Sequence, residues 1–158
     1  MLLVGQITLG LLADNARPPE LWLYLDAHVQ LGLTILSLML LRLAWRLGHP
    51  PPPLPANLPI WQKRISACVH RAIYAILLLM PLSGYALWMW DRRDLHLYGL
   101  VPLPVFETAK LAEFWRSIAG YVHEWGFYLL GGLLALHILA ALWHELVARD
   151  GLVRERML

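Results

Sequence analysis

The stretch AGYVHEWGFYLLGGLLALHILAALWHELV, residues 119–147, decides how the whole chain is read. It exceeds the ~20 apolar residues that a helix needs to cross a bilayer, yet it holds His123, His137 and His144. An ionisable side chain is costly in hydrocarbon, so an intramembrane histidine asks for a chemical reason. His137 follows His123 by fourteen residues. That is close to four helical turns, so both rings leave nearly one face about 21 Å apart along the axis.

Two further stretches of spanning length lie outward from it, at residues 21–47 and 65–90, and a shorter apolar stretch at residues 1–13 ends in the turn Asp14-Asn15-Ala16-Arg17-Pro18-Pro19. The short stretch has no Lys or Arg ahead of its apolar core, which argues against a signal peptide. It reads as the second half of a helix. The expected fold is therefore all-α, a transmembrane four-helix bundle in one domain over residues 1–158, with its first helix partial.

Composition agrees. Hydrophobic residues make up 59% of the chain and charged ones 15%, against about 25% charged in an average soluble domain. The net charge of +2 is too small to suggest a nucleic-acid partner. Cys68 is the one cysteine, which excludes an intramolecular disulfide and the paired cysteines of a c-type haem attachment.

Charge placement gives an orientation. Arg42, Arg46, Lys63, Arg64 and Arg71 flank the proline run of residues 50–55, and Arg149, Arg154 and Arg156 follow the last helix. The opposite loops mix signs, with Asp14, Arg17 and Glu20, then Asp91 to Asp94, Glu107, Lys110, Glu113 and Arg116. The positive-inside rule then puts the proline loop and the C-terminus in the cytoplasm. The proline run should form an extended connector, and residues 106–115 are expected to lie along the outer surface as an amphipathic segment. The eight tryptophans cluster near span ends, as interfacial anchors do.

His28 lies about two turns into the second helix and His123 a similar depth into the last, both entering from the non-cytoplasmic side. The two imidazoles can face each other at one level. Neutral imidazole is a common metal ligand, and facing helices of a bundle can hold haem. His28, His123 and His137 are thus predicted metal ligands of b-type haem. With both axial positions filled, such an iron passes electrons rather than binding oxygen. For any one of these histidines, a core residue donating to a carbonyl is the simpler account; the matched depths and four-turn spacing favour haem.

Arg42 stands fourteen residues after His28, at the inner level where propionates would sit. A snorkelling anchor explains it equally well. His70 and His144 are placed nearer the cytoplasmic boundary, level with each other rather than with His137. Propionate or quinone hydrogen bonds would suit them, as would a surface position. Gly32 and Gly131-Gly132 would let a flat macrocycle, or simply another helix, approach. Pro81 with Gly84 reads as a kink.

These residues resemble the bacterial cytochrome b561 family, small four-helix di-haem membrane cytochromes. The resemblance runs through His28 with Gly32 and Arg42, the run Arg42-Leu43-Ala44-Trp45-Arg46, His70 with Tyr74, Pro81 and Gly84, then His123 and Leu136-His137. It ends on Ala141-Leu142-Trp143-His144-Glu145 and Arg149-Asp150-Gly151. It implies two bis-histidine b haems with ligands from helices one, two and four. His28 and His123 match one pair and His137 half of the other. The missing half belongs to the first helix, and no histidine precedes His28. A start site inside that helix is the expectation, with upstream codons that encode the absent His. Gln6 is the only strong hydrogen-bonding side chain there, and an amide is a poor haem ligand.

The resemblance further implies a bacterial inner membrane location, membrane lipid around the bundle, and electron exchange with ubiquinone or a related quinone. One family member has been linked to oxidation of superoxide with quinone as acceptor. The electron donor stays open, and a homodimer is compatible. The alternatives are a haem-bearing anchor subunit of a respiratory enzyme such as a hydrogenase, and a haem-free membrane scaffold or carrier.

Overall fold

The computed structural model describes residues 1–50, 58–90, 96–103 and 112–152. Four helices follow in order: α1 over Leu2–Asn15, α2 over Glu20–Gly48, α3 over Ile60–Trp90 and α4 over Ala112–Trp143. A π-helical turn, His144–Ala148, continues α4. Three are long and apolar enough to cross a membrane, at Glu20–Gly48, Ile60–Met89 and Glu113–Ala148, and α1 is a shorter apolar helix. Helices suit this setting because each satisfies its backbone polar groups within itself.

Packing runs in chain order, α1 on α2, α2 on α3 and α3 on α4. A small core of Ile76, Leu77 and Leu130 joins α3 to α4. Much of the remaining apolar surface faces outward. Leu41 is 68% and Leu139 64% exposed, which is tolerable only where lipid tails take the place of water.

Two helices begin earlier than the apolar runs suggest. α3 starts at Ile60 instead of residue 65, and α4 at Ala112 instead of 119. Their polar first turns, with Lys63 and Arg64 or with Glu113 and Arg116, keep the backbone ladder where water can reach the side chains. Residues 112–115 of the expected surface segment therefore belong to α4 itself. Its remainder, together with the proline connector after Pro50, residues 91–95, and Arg154 and Arg156, lies outside the described residues.

Between α3 and α4 a hairpin pairs β1, His96–Leu97, with β2, Val101–Pro102. Its turn places Tyr98 and Gly99 at positive φ, 50° and 73°, and glycine meets that demand without a Cβ clash. Gln30, buried in α2, holds the hairpin: its amide N–H donates to the His96 carbonyl at 2.9 Å, and its Oε1 accepts from the Tyr98 N–H at 2.9 Å. The Thr34 hydroxyl bonds the Tyr98 phenol. Non-helical backbone beside a span needs such partners.

Gln30→Leu should leave both backbone groups unpaired at a local cost of about 1–3 kcal/mol. Hydrogen exchange at the Tyr98 amide is expected to accelerate while α2 stays protected. Unchanged exchange there would show that the amide does not hold the hairpin.

Candidate functional site

His28 and His123 come from α2 and α4, eight and eleven residues from the N-terminal ends of those helices. Their ring centroids lie 6.0 Å apart with planes at 75°. Two imidazoles bonded to opposite sides of one metal, at about 2 Å per bond, would have ring centres roughly 6 Å apart.

Each ring is held by a backbone carbonyl of the neighbouring helix. His123 Nδ1 lies 3.0 Å from the Met80 carbonyl and 3.1 Å from Ser83 Oγ, which itself donates to Met80. His28 Nδ1 lies 3.0 Å from the Gln6 carbonyl. A carbonyl only accepts, so both Nδ1 atoms carry the proton and both Nε2 atoms keep a lone pair. Metal-bound histidines need this tautomer, fixed by this kind of outer partner.

The approach depends on glycine. A Cβ on Gly84 would lie 2.9 Å from His123 Cε1, and one on Gly10 would lie 3.0 Å from His28 Cε1. The two cradles share a pattern: Gly10 comes four residues after Gln6 and Gly84 four after Met80, so carbonyl and glycine stand one turn apart on one face. Gly84, within the continuous helix α3, is thus a ring cradle. Gly32 serves α1 similarly, since a Cβ there would come within 3.1 Å of Gln6 Nε2. Gly131 and Gly132 have nothing within 4 Å of an added Cβ.

Gln6 has a second contact. Its side-chain amide stands 3.1 Å from His28 Nε2 and donates to that lone pair, while its Oε1 is buried without a partner. An amide with one orphaned atom is a weak occupant, and a metal would displace it. The Trp88 indole N–H, a donor, is also buried without a partner. The residues around His28 and His123 therefore fit a metal-centred cofactor. Among the described residues no three of His, Cys, Asp or Glu gather; the histidines meet in twos, which suits the two axial positions of haem better than a protein-only site with three or four ligands.

At the other level His70 and His137 meet, with centroids 5.0 Å apart and planes at 73°. This corrects the placement of His70 level with His144. Because α3 starts at Ile60 and α4 continues through Ala148, His70 is ten residues from the N-terminal end of α3 and His137 eleven from the C-terminal end of that continuation. His70 Nδ1 lies 2.8 Å from the Ser66 carbonyl, one turn back in its own helix. His144 stands apart with Trp143 and Asp150.

Arg42 does not simply snorkel. Its Nε donates to the Tyr74 hydroxyl at 2.9 Å; Arg46 Nη1 reaches the same oxygen at 3.3 Å, with its guanidinium 5.3 Å from the ring centre. Two cations thus converge on one phenol between α2 and α3. Among the described residues neither has a carboxylate partner, and such a pair suits an anionic oxygen.

Past α4, His144 Nδ1 lies 2.6 Å from Asp150 Oδ2, and Asp150 Oδ1 accepts from the Leu152 N–H. The left-handed Arg149 and Gly151, φ 50° and 74°, turn the chain back for this contact. The His144 hydrogen bond holds the Asp150 carboxyl below the usual carboxylate range. Its folded value is depressed, so the contribution of the contact is present above the ordinary carboxylate value and fades only as pH falls through the lowered one.

Ser83 had no signal in the sequence, and Gln6, Tyr74 and Asp150 were legible there as motif residues but not as partners of His28, Arg42 and His144. The i, i+4 pairing of a glycine with the carbonyl residue before it was legible, but only once the facing helix was known.

The family described as prokaryotic cytochrome b561 matches residues 1–158, the whole chain. Among curated proteins, cytochrome b561 homolog 2 of Escherichia coli K12 is 27% identical over 163 residues, covering 100% of this chain and 84% of the relative. Cytochrome b561 homolog 1 of the same organism is 26% identical, covering 84% of this chain and 73% of the relative. A probable superoxide oxidase, CybB, of Yersinia pestis is also 26% identical, covering 82% and 72%.

Proposed function

Because the chain belongs to the prokaryotic cytochrome b561 family, we propose that it carries electrons through the membrane on b-type haem ligated by His28 and His123, and exchanges them with the quinone pool. The observation that carries this is the pairing of those two rings at 6.0 Å between α2 and α4, each with its Nδ1 proton tied to a carbonyl. Haem supplies reversible one-electron storage when bound, with no open position for oxygen once two imidazoles ligate it.

The residues of this chain do the rest. The Gln6 and Met80 carbonyls fix ring orientation and raise imidazole basicity. His137 would serve an inner haem, and Arg42 with Arg46 and Tyr74 would hold anionic propionates at that level. Asp150 orients His144 near the C-terminal end of α4, where the imidazolium form, with both ring nitrogens protonated, would donate its other N–H to a quinone oxygen and pass it that proton. His70, beside His137, would border the haem that His137 serves.

The purified protein should show a Soret band and, on reduction, split alpha and beta bands of low-spin haem. Adding a ubiquinone analogue should reoxidise it. No haem band would favour the haem-free scaffold, and reduced haem indifferent to quinone would remove the quinone part. Superoxide is the donor to try first, given the name of the Yersinia pestis relative. Co-purification with a soluble metalloprotein would favour the anchor-subunit alternative.

The unopposed cations around the proline loop support a cytoplasmic C-terminus. A reporter fused after Leu158 should be active only in the cytoplasm. Activity of a periplasm-dependent reporter there would invert the orientation and exchange the faces of the haem levels.

A further inference from the structure

The first turns of α3 carry a groove that the electron-transfer site does not use. It is an open depression lined by α3 alone, with the small side chains of Ala67, Cys68, Ala72 and Ala75 forming an apolar floor along the helix beside the cations of Lys63, Arg64 and Arg71. Its volume is about 670 Å³, within the range of small-molecule sites. Cys68 and Ala72 each lie two residues from His70, about 200° round the helix. Ala67 lies about 60°, Arg71 about 100° and Ala75 about 140° from His70, so the groove runs beside the His70 face, along a side where Arg64, Cys68 and Arg71 are exposed.

Arg71 is out of place for a loop anchor. It stands eleven residues into α3, about 16 Å from the start of the helix, and next in sequence to His70, which is level with His137. It is exposed, and among the described residues neither it nor Arg64 has a carboxylate partner. A cation at that depth on a lipid-facing side is costly unless an anion meets it. Long helical side chains lean toward the N-terminus of their helix, which carries the Arg71 guanidinium back toward Arg64 and Lys63. The cationic end of the groove is thereby gathered toward one membrane boundary, and the apolar floor runs about 12 Å from Ala67 to Ala75 toward the membrane centre.

We propose that this groove binds one anionic phospholipid, with its phosphate between Arg64 and Arg71 and an acyl chain along the small-residue floor. A guanidinium takes phosphate oxygens through two parallel N–H bonds, and basic sites on the cytoplasmic side of spanning helices attract anionic headgroups. The small side chains leave the depth that a chain of methylenes needs. The assignment does not depend on haem ligation.

Delipidated protein would be mixed with vesicles of phosphatidylglycerol or of phosphatidylcholine, and the retained lipid counted by native mass spectrometry. Phosphatidylglycerol should be kept preferentially. The double variant Arg64→Gln/Arg71→Gln should lower that retention by about twentyfold, and Ala72→Leu, which fills the floor but keeps both cations, should also lower it. An unchanged haem spectrum would show that each variant is folded. Equal retention of the two lipids, or unchanged phosphatidylglycerol retention in the double variant, would overturn the proposal. So would a dimer that Ala72→Leu disrupts with no change in bound lipid, because the groove would then belong to a second copy of the chain.

Discussion

Replacing His123 by alanine is expected to abolish the outer low-spin haem signal while the chain still inserts in the membrane. His123 and His28 meet at one level with centroids 6.0 Å apart, and removing either imidazole would take away one of the two side chains that would hold the haem. His28→Ala should give the same spectrum as His123→Ala, and the double variant should be no worse, because the two residues act as one unit. His137→Ala, at the other level, should leave the outer signal in place. Haem content and reduced spectrum would be measured on each purified variant. Wild-type haem content in His28→Ala or His123→Ala would defeat the ligand assignment.

The second large effect is expected at a residue that would touch no cofactor. Gly84→Val puts a Cβ where 2.9 Å separates it from His123 Cε1 and 3.3 Å from Nδ1. Something must move, and the backbone of α3 is the less yielding partner. The ring would leave the Met80 carbonyl, losing the bond that sets its tautomer. Loss of such an outer partner typically costs about ten- to a hundredfold in affinity for the bound metal, so haem occupancy should fall by that order. Gly10→Val should do the same through His28. Gly120→Ala is the control, since an added Cβ there meets nothing within 4 Å. If Gly84→Val retained haem as tightly as Gly120→Ala, the cradle would have no bearing on the site.

Much of the architecture could be read from the chain. Length and hydropathy give three spans and one short apolar helix because crossing a bilayer sets a minimum run of apolar residues, and the three long helices match it. Depth was legible for the same reason. Each residue advances a helix by about 1.5 Å, so counting inward from the outer ends put His28 and His123 at one level, where their rings do meet. The same count failed for His70 because it began at residue 65, five residues inside the true start of α3. Polar turns continue a helix beyond its apolar part, and hydropathy does not see them.

What the sequence determined by itself is the setting: a helical chain in lipid, its cations gathered on one side, and histidines at two depths. Tertiary structure decided the partners. It brought His70 to His137, turned Arg42 and Arg46 onto Tyr74, set Gln6 against His28 and placed Gly10 and Gly84 under the two outer rings. Depth is a coordinate along one helix, fixed by residue count. A partner also depends on how each helix is rotated about its axis and which neighbour it packs against, and those are set jointly by side chains far apart in the chain.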